Sequence, residues 1–142
     1  MARETALDDL YQGLTTFARR VRAAGDNLHP GLSLVAYTLL THIDVTPGMR
    51  AADLAGHFGL DKSTVSRQLE QLISAGLLGR DGERPGRRGY VLTLTAAGRQ
   101  HLDAAGCTVR ESLAERLTDW DDRDIAVFAQ LVARFNDSAG RP

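Results

Sequence analysis

Apolar residues recur early in the chain at Leu7, Leu10, Tyr11, Leu14, Phe17, Ala18 and Val21. This three-four spacing predicts an amphipathic helix over roughly residues 4–24. Gly25 and the Asn27-to-Gly31 stretch, with Pro30 inside it, end the pattern. Ser33 is placed to cap a second helix with the stripe Val35, Ala36, Leu39, Leu40 and Ile43, and Thr46-Pro47-Gly48 then forces a turn. Ala51 to Phe58 reads as a short third helix with Leu54, Ala55 and Phe58 inward, and Gly59 supplies a left-handed reversal at its end. Asp61 caps a fourth helix over 62–75, which Gly76 terminates. Two helices joined by so short a glycine-containing turn make a helix-turn-helix.

The period changes after Gly76. Leu77-Leu78-Gly79-Arg80 and Tyr90-Val91-Leu92-Thr93-Leu94 are short strand candidates, the second β-branched and aromatic. Residues 81–89 between them carry three glycines and Pro85 and are too polar to bury, so 77–94 is a hairpin with a long tip, a wing. Thr95 caps a long fifth helix with the inward row Leu102, Ala105, Val109, Leu113 and Leu117. Asp121 is the N-cap of a sixth helix, with Asp124 at its third position and Trp120 and Ile125 set for a hydrophobic staple. Ile125, Phe128, Leu131, Val132 and Phe135 form its stripe, and the tail from Ser138 is expected to fray. The predicted fold class is mainly α with a small β-hairpin wing.

The fourth helix has two faces. Val65, Leu69, Leu72 and Ile73 fall together and should pack on the preceding helices. At ~100° per residue, the other face carries Ser63, Thr64, Arg67, Gln71 and Ser74, flanked by Ser66 and Gln68. A helix entering the major groove needs short hydroxyls near its N-terminus and bidentate donors: arginine for guanine, glutamine for adenine. Lys62 and the N-terminal amides favour a phosphate. An ordinary solvated helix face has the same pattern, and the wing separates the two readings. Arg84, Arg87 and Arg88 on an exposed hairpin have no packing role and suit a minor groove.

Composition limits the remaining classes. The chain has 142 residues, 43% hydrophobic and 25% charged, which suits one domain or compact subunit with a real core. A net charge of −1 argues mildly against nucleic acid, but its distribution does not. Residues 80–99 hold five arginines against two acids, a local balance of +3; residues 103–124 hold seven acids against three arginines, a balance of −4. Such runs are either solvated surface or a DNA-binding patch on an acidic body. The single cysteine, Cys107, excludes an intramolecular disulfide framework and is expected to pack inertly. His29, His42, His57 and His101 show no ligand spacing, so no metal is expected. The absence of a phosphate-binding glycine loop, a nucleophile elbow and a zinc-protease motif argues against an enzyme, and no cofactor is expected. Met1 to Gln12 lacks the apolar run of a signal peptide and no stretch is long enough to span a membrane, so a cytoplasmic location is expected.

Leu54-Ala55-Gly56-His57-Phe58-Gly59-Leu60-Asp61-Lys62-Ser63-Thr64-Val65-Ser66-Arg67 resembles the helix-turn-helix of the MarR (multiple antibiotic resistance regulator) family. Arg87-Arg88-Gly89-Tyr90-Val91-Leu92-Thr93-Leu94-Thr95-Ala96-Ala97-Gly98 is similar to that family's wing and the Leu-Thr-x-x-Gly start of its fifth helix. The resemblance covers nearly the whole chain. It implies a transcription regulator that binds double-stranded DNA at a pseudo-palindromic operator as a homodimer, a repressor released by a small molecule. The expected organisation is a winged helix-turn-helix lobe at 32–95 and a helical dimerisation region at 1–30 and 96–142. Taken without the resemblance, the apolar stripes of the terminal helices fit intramolecular core equally well. The resemblance also implies a small aromatic or phenolic ligand, for which Phe17, Tyr37, His42 and His101 are candidate lining residues. The chain departs from the family at Gly86, where an acid usually precedes the wing arginine by two positions. The rival reading is a winged helix used for protein–protein contact, because fold does not dictate function.

Overall fold

A computed structural model describes residues 1–24, 31–82 and 90–138. In chain order the elements are α1 (Ala2–Ala24), α2 (Leu34–Val45), α3 (Ala51–Phe58), α4 (Lys62–Ser74), β1 (Leu78–Asp81), β2 (Val91–Leu94), α5 (Ala96–Arg116) and α6 (Asp122–Ser138). These are the six helices and the hairpin expected from the pattern. The chain divides into two compact units, Met1–Thr108 and Val109–Pro142.

The core of the first unit is built from the predicted stripes. Leu39 and Leu40 of α2, Leu54 of α3, and Val65 and Leu69 of α4 are fully buried. Leu77, Leu78, Leu92, Leu102 and Ala105 join them, so the hairpin and the start of α5 share one core with the helix-turn-helix. Each fully buried leucine contributes about 1.5–3 kcal/mol, which holds α4 firmly on its inner side.

Local signals set the element ends. The Ser33 Oγ accepts the Ala36 amide at 3.0 Å, the expected cap of α2. Gly59 closes α3 at φ 60°. Gly76, at φ 75°, closes α4: its amide donates to the Ile73 carbonyl and the Leu77 amide to that of Leu72. Those two bonds satisfy carbonyls that a helix end otherwise leaves open.

β1 and β2 pair antiparallel with Leu78 opposite Leu94 and Arg80 opposite Leu92. A further rung joins Arg50 to Val91, and the Leu92 amide donates to the Met49 carbonyl at 3.0 Å. The segment before α3 thus extends the wing stem, a feature too short to show any alternation in the sequence.

Thr95 ties this stem to α4 and α5. Its hydroxyl donates to the Gly76 carbonyl at 2.6 Å and accepts the Gly98 amide at 3.0 Å, while its own amide donates to the Leu77 carbonyl at 3.2 Å. A Cβ on Gly98 would stand 2.1 Å from the Leu77 carbonyl oxygen.

α1 buries none of its residues; Leu7, Tyr11 and Phe17 are 54%, 72% and 56% exposed. Along α5 the expected inward row is inward only at first: Leu102 and Ala105 are buried, Val109 and Leu117 half-buried, and Leu113 exposed. Cys107, expected to pack inertly, is exposed instead, because it lies off the Leu102–Ala105 side of the helix. In the second unit, the Asp121 carboxylate accepts the Asp124 amide at 2.7 Å, the predicted N-cap of α6. Trp120 stands 5.7 Å from the Phe128 ring, one turn beyond its expected partner Ile125. Val127, Phe128, Leu131, Val132 and Phe135 are all exposed.

Glycine to alanine inside a helix ordinarily gains up to about 1 kcal/mol. At Gly98 the sign reverses, because the obstruction is backbone. Gly98→Ala is expected to lower stability by about 1–3 kcal/mol, read as a lower denaturant midpoint; an unchanged or raised midpoint would show that the seam can open without cost.

Candidate nucleic-acid interface

α4 presents its polar face outward because its other side is fixed in the core. Lys62, Ser63, Ser66, Arg67 and Gln71 are exposed, and Thr64 and Gln68 are half-buried. All seven α4 residues expected from the sequence therefore lie off the sealed Val65–Leu69–Leu72 side of the helix, with the two ends of that polar surface chemically distinct. At the N-terminus Asp61 holds an extended N-cap conformation, φ −61° and ψ 132°. Its carboxylate accepts the Ser63 hydroxyl, and this bond above all holds the Asp61 carboxyl below the ordinary carboxylate range. With its proton committed to Asp61, Ser63 offers only lone pairs outward, which suits a base-edge amino group.

At the far end, Gln68 and Gln71 border a cavity of about 600 Å³ between α4 and the N-terminal side of α2, whose other wall includes Gly31, Ser33 and Ala36. Phe17, Tyr37, His42 and His101, the residues considered for a ligand pocket, do not line it. Arg84, Arg87 and Arg88, the expected wing contacts, lie outside the described residues, as does Gly86.

Two residues of this surface were missed in the sequence. Glu70 is exposed on α4, and at ~100° per residue it falls within about 20° of Ser63. Arg80 of β1 donates to the Glu70 carboxylate at 2.5 Å, and its guanidinium carbon sits 4.5 Å from the centre of the Tyr90 ring. The partnership spans ten residues and three elements, beyond the reach of periodicity. Behind the interface, Arg99 forks onto Asp44, binding the start of α5 to the end of α2. The Arg99 hydrogen bond holds Asp44 below its ordinary value, and Arg99 is raised in return.

A segment from the start of α2 through β1, residues 32–81, matches the MarR family model. The chain is similar to YxaD, an uncharacterized HTH-type transcriptional regulator of Bacillus subtilis (strain 168), at 29% identity over 138 residues and 96% of each chain. Its fold is similar to that of a MarR family protein from Bacillus stearothermophilus, with TM-score 0.80 and 16% identity over 97% of this chain and 98% of that one. It is also similar to the PcaV transcriptional regulator of Streptomyces coelicolor, solved in complex with its natural ligand, with TM-score 0.66 and 25% identity over 87% and 91% of the two chains. The architecture is accordingly a winged helix like that of these MarR neighbours: mainly α, with a two-stranded hairpin among the described residues. Among the described residues no helix is long and apolar enough to cross a membrane, and no group of three metal-ligating side chains occurs.

An ionisable pair braces this helix-turn-helix. His42 of α2 stacks on His57 of α3 at 4.2 Å between ring centres, and both rings meet the edge or face of Phe58. Burial first, and the neighbouring His57 second, hold His42 below the ordinary imidazole value. A depressed imidazole is protonated more readily in the unfolded chain. The stability it contributes is present above the unfolded value, about pH 6.5, and is lost as pH falls through the lowered folded value. The urea midpoint is therefore expected to drop below about pH 6.5, and His57→Gln is expected to flatten that drop; parallel profiles for the two proteins would exclude the pair as its source.

Proposed function

We propose that this chain is a MarR-family regulator, a homodimeric repressor that binds a pseudo-palindromic duplex operator and is released by a small aromatic or phenolic ligand. The observation that carries the reading is the division of α4: Val65 and Leu69 sealed in the core, and Ser63, Ser66, Arg67 and Gln71 facing outward. In this reading α4 enters the major groove, Arg67 and Gln71 read base edges, Ser63 accepts from a base amino group, and Lys62 and Ser66 hold phosphates. Arg84, Arg87 and Arg88 supply the wing contacts to the flanking minor groove. Two such helices meet half-sites about 10 bp apart. A protein-docking use of the winged helix would call for apolar side chains on the outer face of α4, and that face is polar.

Residues 32–95 form the DNA-binding lobe in this reading, and 1–30 with 96–142 form the dimerisation region. The support is the unsatisfied apolar surface of the terminal helices, where Leu10, Leu14, Leu131 and Phe135 are all exposed. Monomeric soluble proteins rarely leave such contiguous stripes open. Ligand release is supported by the likeness to PcaV, which was solved with its natural ligand. The regulator acts in the cytoplasm, without catalysis, cofactor or metal.

Footprinting on the DNA upstream of the protein's own gene tests the reading. A two-fold protected site, weakened by salt, is expected. Arg67→Ala should cost about 1–3 kcal/mol and relax base preference. Arg88→Ala should weaken binding and shallow the salt dependence. Protection indifferent to Arg67 would transfer the function to another surface. Leu131→Asp should convert a dimer to a monomer in light scattering and abolish the two-fold footprint; a wild-type monomer would refute the assembly.

A further inference from the structure

Glu70 places a carboxylate on the face of α4 that carries Ser63 and Arg67. An acid that meets DNA phosphates without a partner is repulsive, so its presence there calls for a compensating role. Its carboxylate accepts from Arg80 Nη2 at 2.5 Å, and Arg80 lies over the Tyr90 ring at 4.5 Å. Tyr90 directly precedes β2 and packs against the hydrophobic core, so it does not follow the arginine; the arginine follows it. Arg80 is also fixed from its backbone, paired in β1 opposite Leu92.

We infer that Arg80 is a positioning residue for DNA binding: seated on Tyr90, it grips Glu70 and fixes the recognition helix against the root of the wing, while cancelling the acid's charge. The inference rests on the DNA-binding reading above. The core holds the inner side of α4, but the outer side meets the hairpin through this one side chain among the described ion pairs. Two elements that must enter adjacent grooves lose discrimination when their relative placement loosens by even about 1 Å. Both side chains are well exposed, 40% for Arg80 and 54% for Glu70, so the pair adds little to global stability. Its effect is on geometry.

The competing role for Arg80 is a direct phosphate contact, with Glu70 a mere hindrance. The two roles predict opposite signs for Glu70→Gln. If Glu70 only hinders, neutralising it tightens DNA binding. If Glu70 is the hold that Arg80 uses, neutralising it weakens binding despite the gain in positive charge. Affinity for the footprinted duplex and for a random duplex, across a salt series, decides between them for wild type, Glu70→Gln, Arg80→Ala, Arg80→Lys and the Glu70→Gln/Arg80→Ala double variant. Glu70→Gln and Arg80→Ala are each expected to lose about threefold to tenfold in affinity for the footprinted duplex, counting two copies per dimer. The double variant should lose no more than Arg80→Ala, Arg80→Lys should fall between, and the salt slope and thermal midpoint should stay at wild-type values. Glu70→Gln binding as tightly as wild type or tighter overturns the inference. So does a salt slope shallower by about 2 in Arg80→Ala, about 1 for each copy in the dimer, or losses that track a lowered thermal midpoint. Wild-type protein that binds neither duplex overturns the DNA-binding reading and this inference together.

Discussion

The seam where Thr95 and Gly98 meet the end of α4 organises the lobe. The Thr95 hydroxyl is shared between the Gly76 carbonyl and the Gly98 amide, and the Thr95 amide takes the Leu77 carbonyl. A single residue therefore closes the wing, caps α5 and fastens both to the last turn of α4. Buried or half-buried backbone groups need partners, and here three elements satisfy each other at one point. The approach is so close that only glycine fits at 98. Once the seam is set, the directions of α4, the hairpin and the start of α5 are no longer independent.

A rigid lobe of this kind suits the use of α4 as a reading surface. The inner residues of α4 are nearly sealed from solvent, with Val65 and Leu69 each 1% exposed. Rotation of the helix about its axis would expose them, so the polar face is held outward by the hydrophobic effect. The same effect acts in the opposite sense at α1 and α6. Their apolar stripes are in solvent in the single chain, which is the support for the proposed association. The two kinds of surface differ in chemistry, one polar and held outward, the other apolar and exposed.

What the sequence made legible was local. Ser33, Thr95 and Asp121 cap their helices as a hydroxyl or carboxylate three residues ahead of an amide must, and Gly59 and Gly76 occupy the left-handed positions. The inward residues of α2, α3 and α4 followed from helical period. What stayed hidden was pairing at a distance: Arg80 with Glu70 and Tyr90, Arg99 with Asp44, His42 on His57, and the Arg50–Val91 rung. Periodicity assigns a residue to a face but does not say what stands opposite that face. The same blindness explains Leu113, which fits the α5 stripe perfectly well yet has nothing over it in the single chain.

The charge count shows why that distinction matters for function. Five arginines between residues 80 and 99 made the stretch look basic. Two of them are already committed, Arg80 to Glu70 and Arg99 to Asp44. Neutralised cations of this kind release few counterions and contribute little to the salt-dependent part of DNA affinity. Lys62 and Arg67 of α4 have no acid partner among the described residues, and Arg84, Arg87 and Arg88 of that stretch lie outside those residues. A protein with net charge −1 then needs no broad basic face to hold DNA. A few cations concentrated where grooves and phosphates would arrive suffice, while Arg80 and Arg99 are committed to Glu70 and Asp44 within the fold.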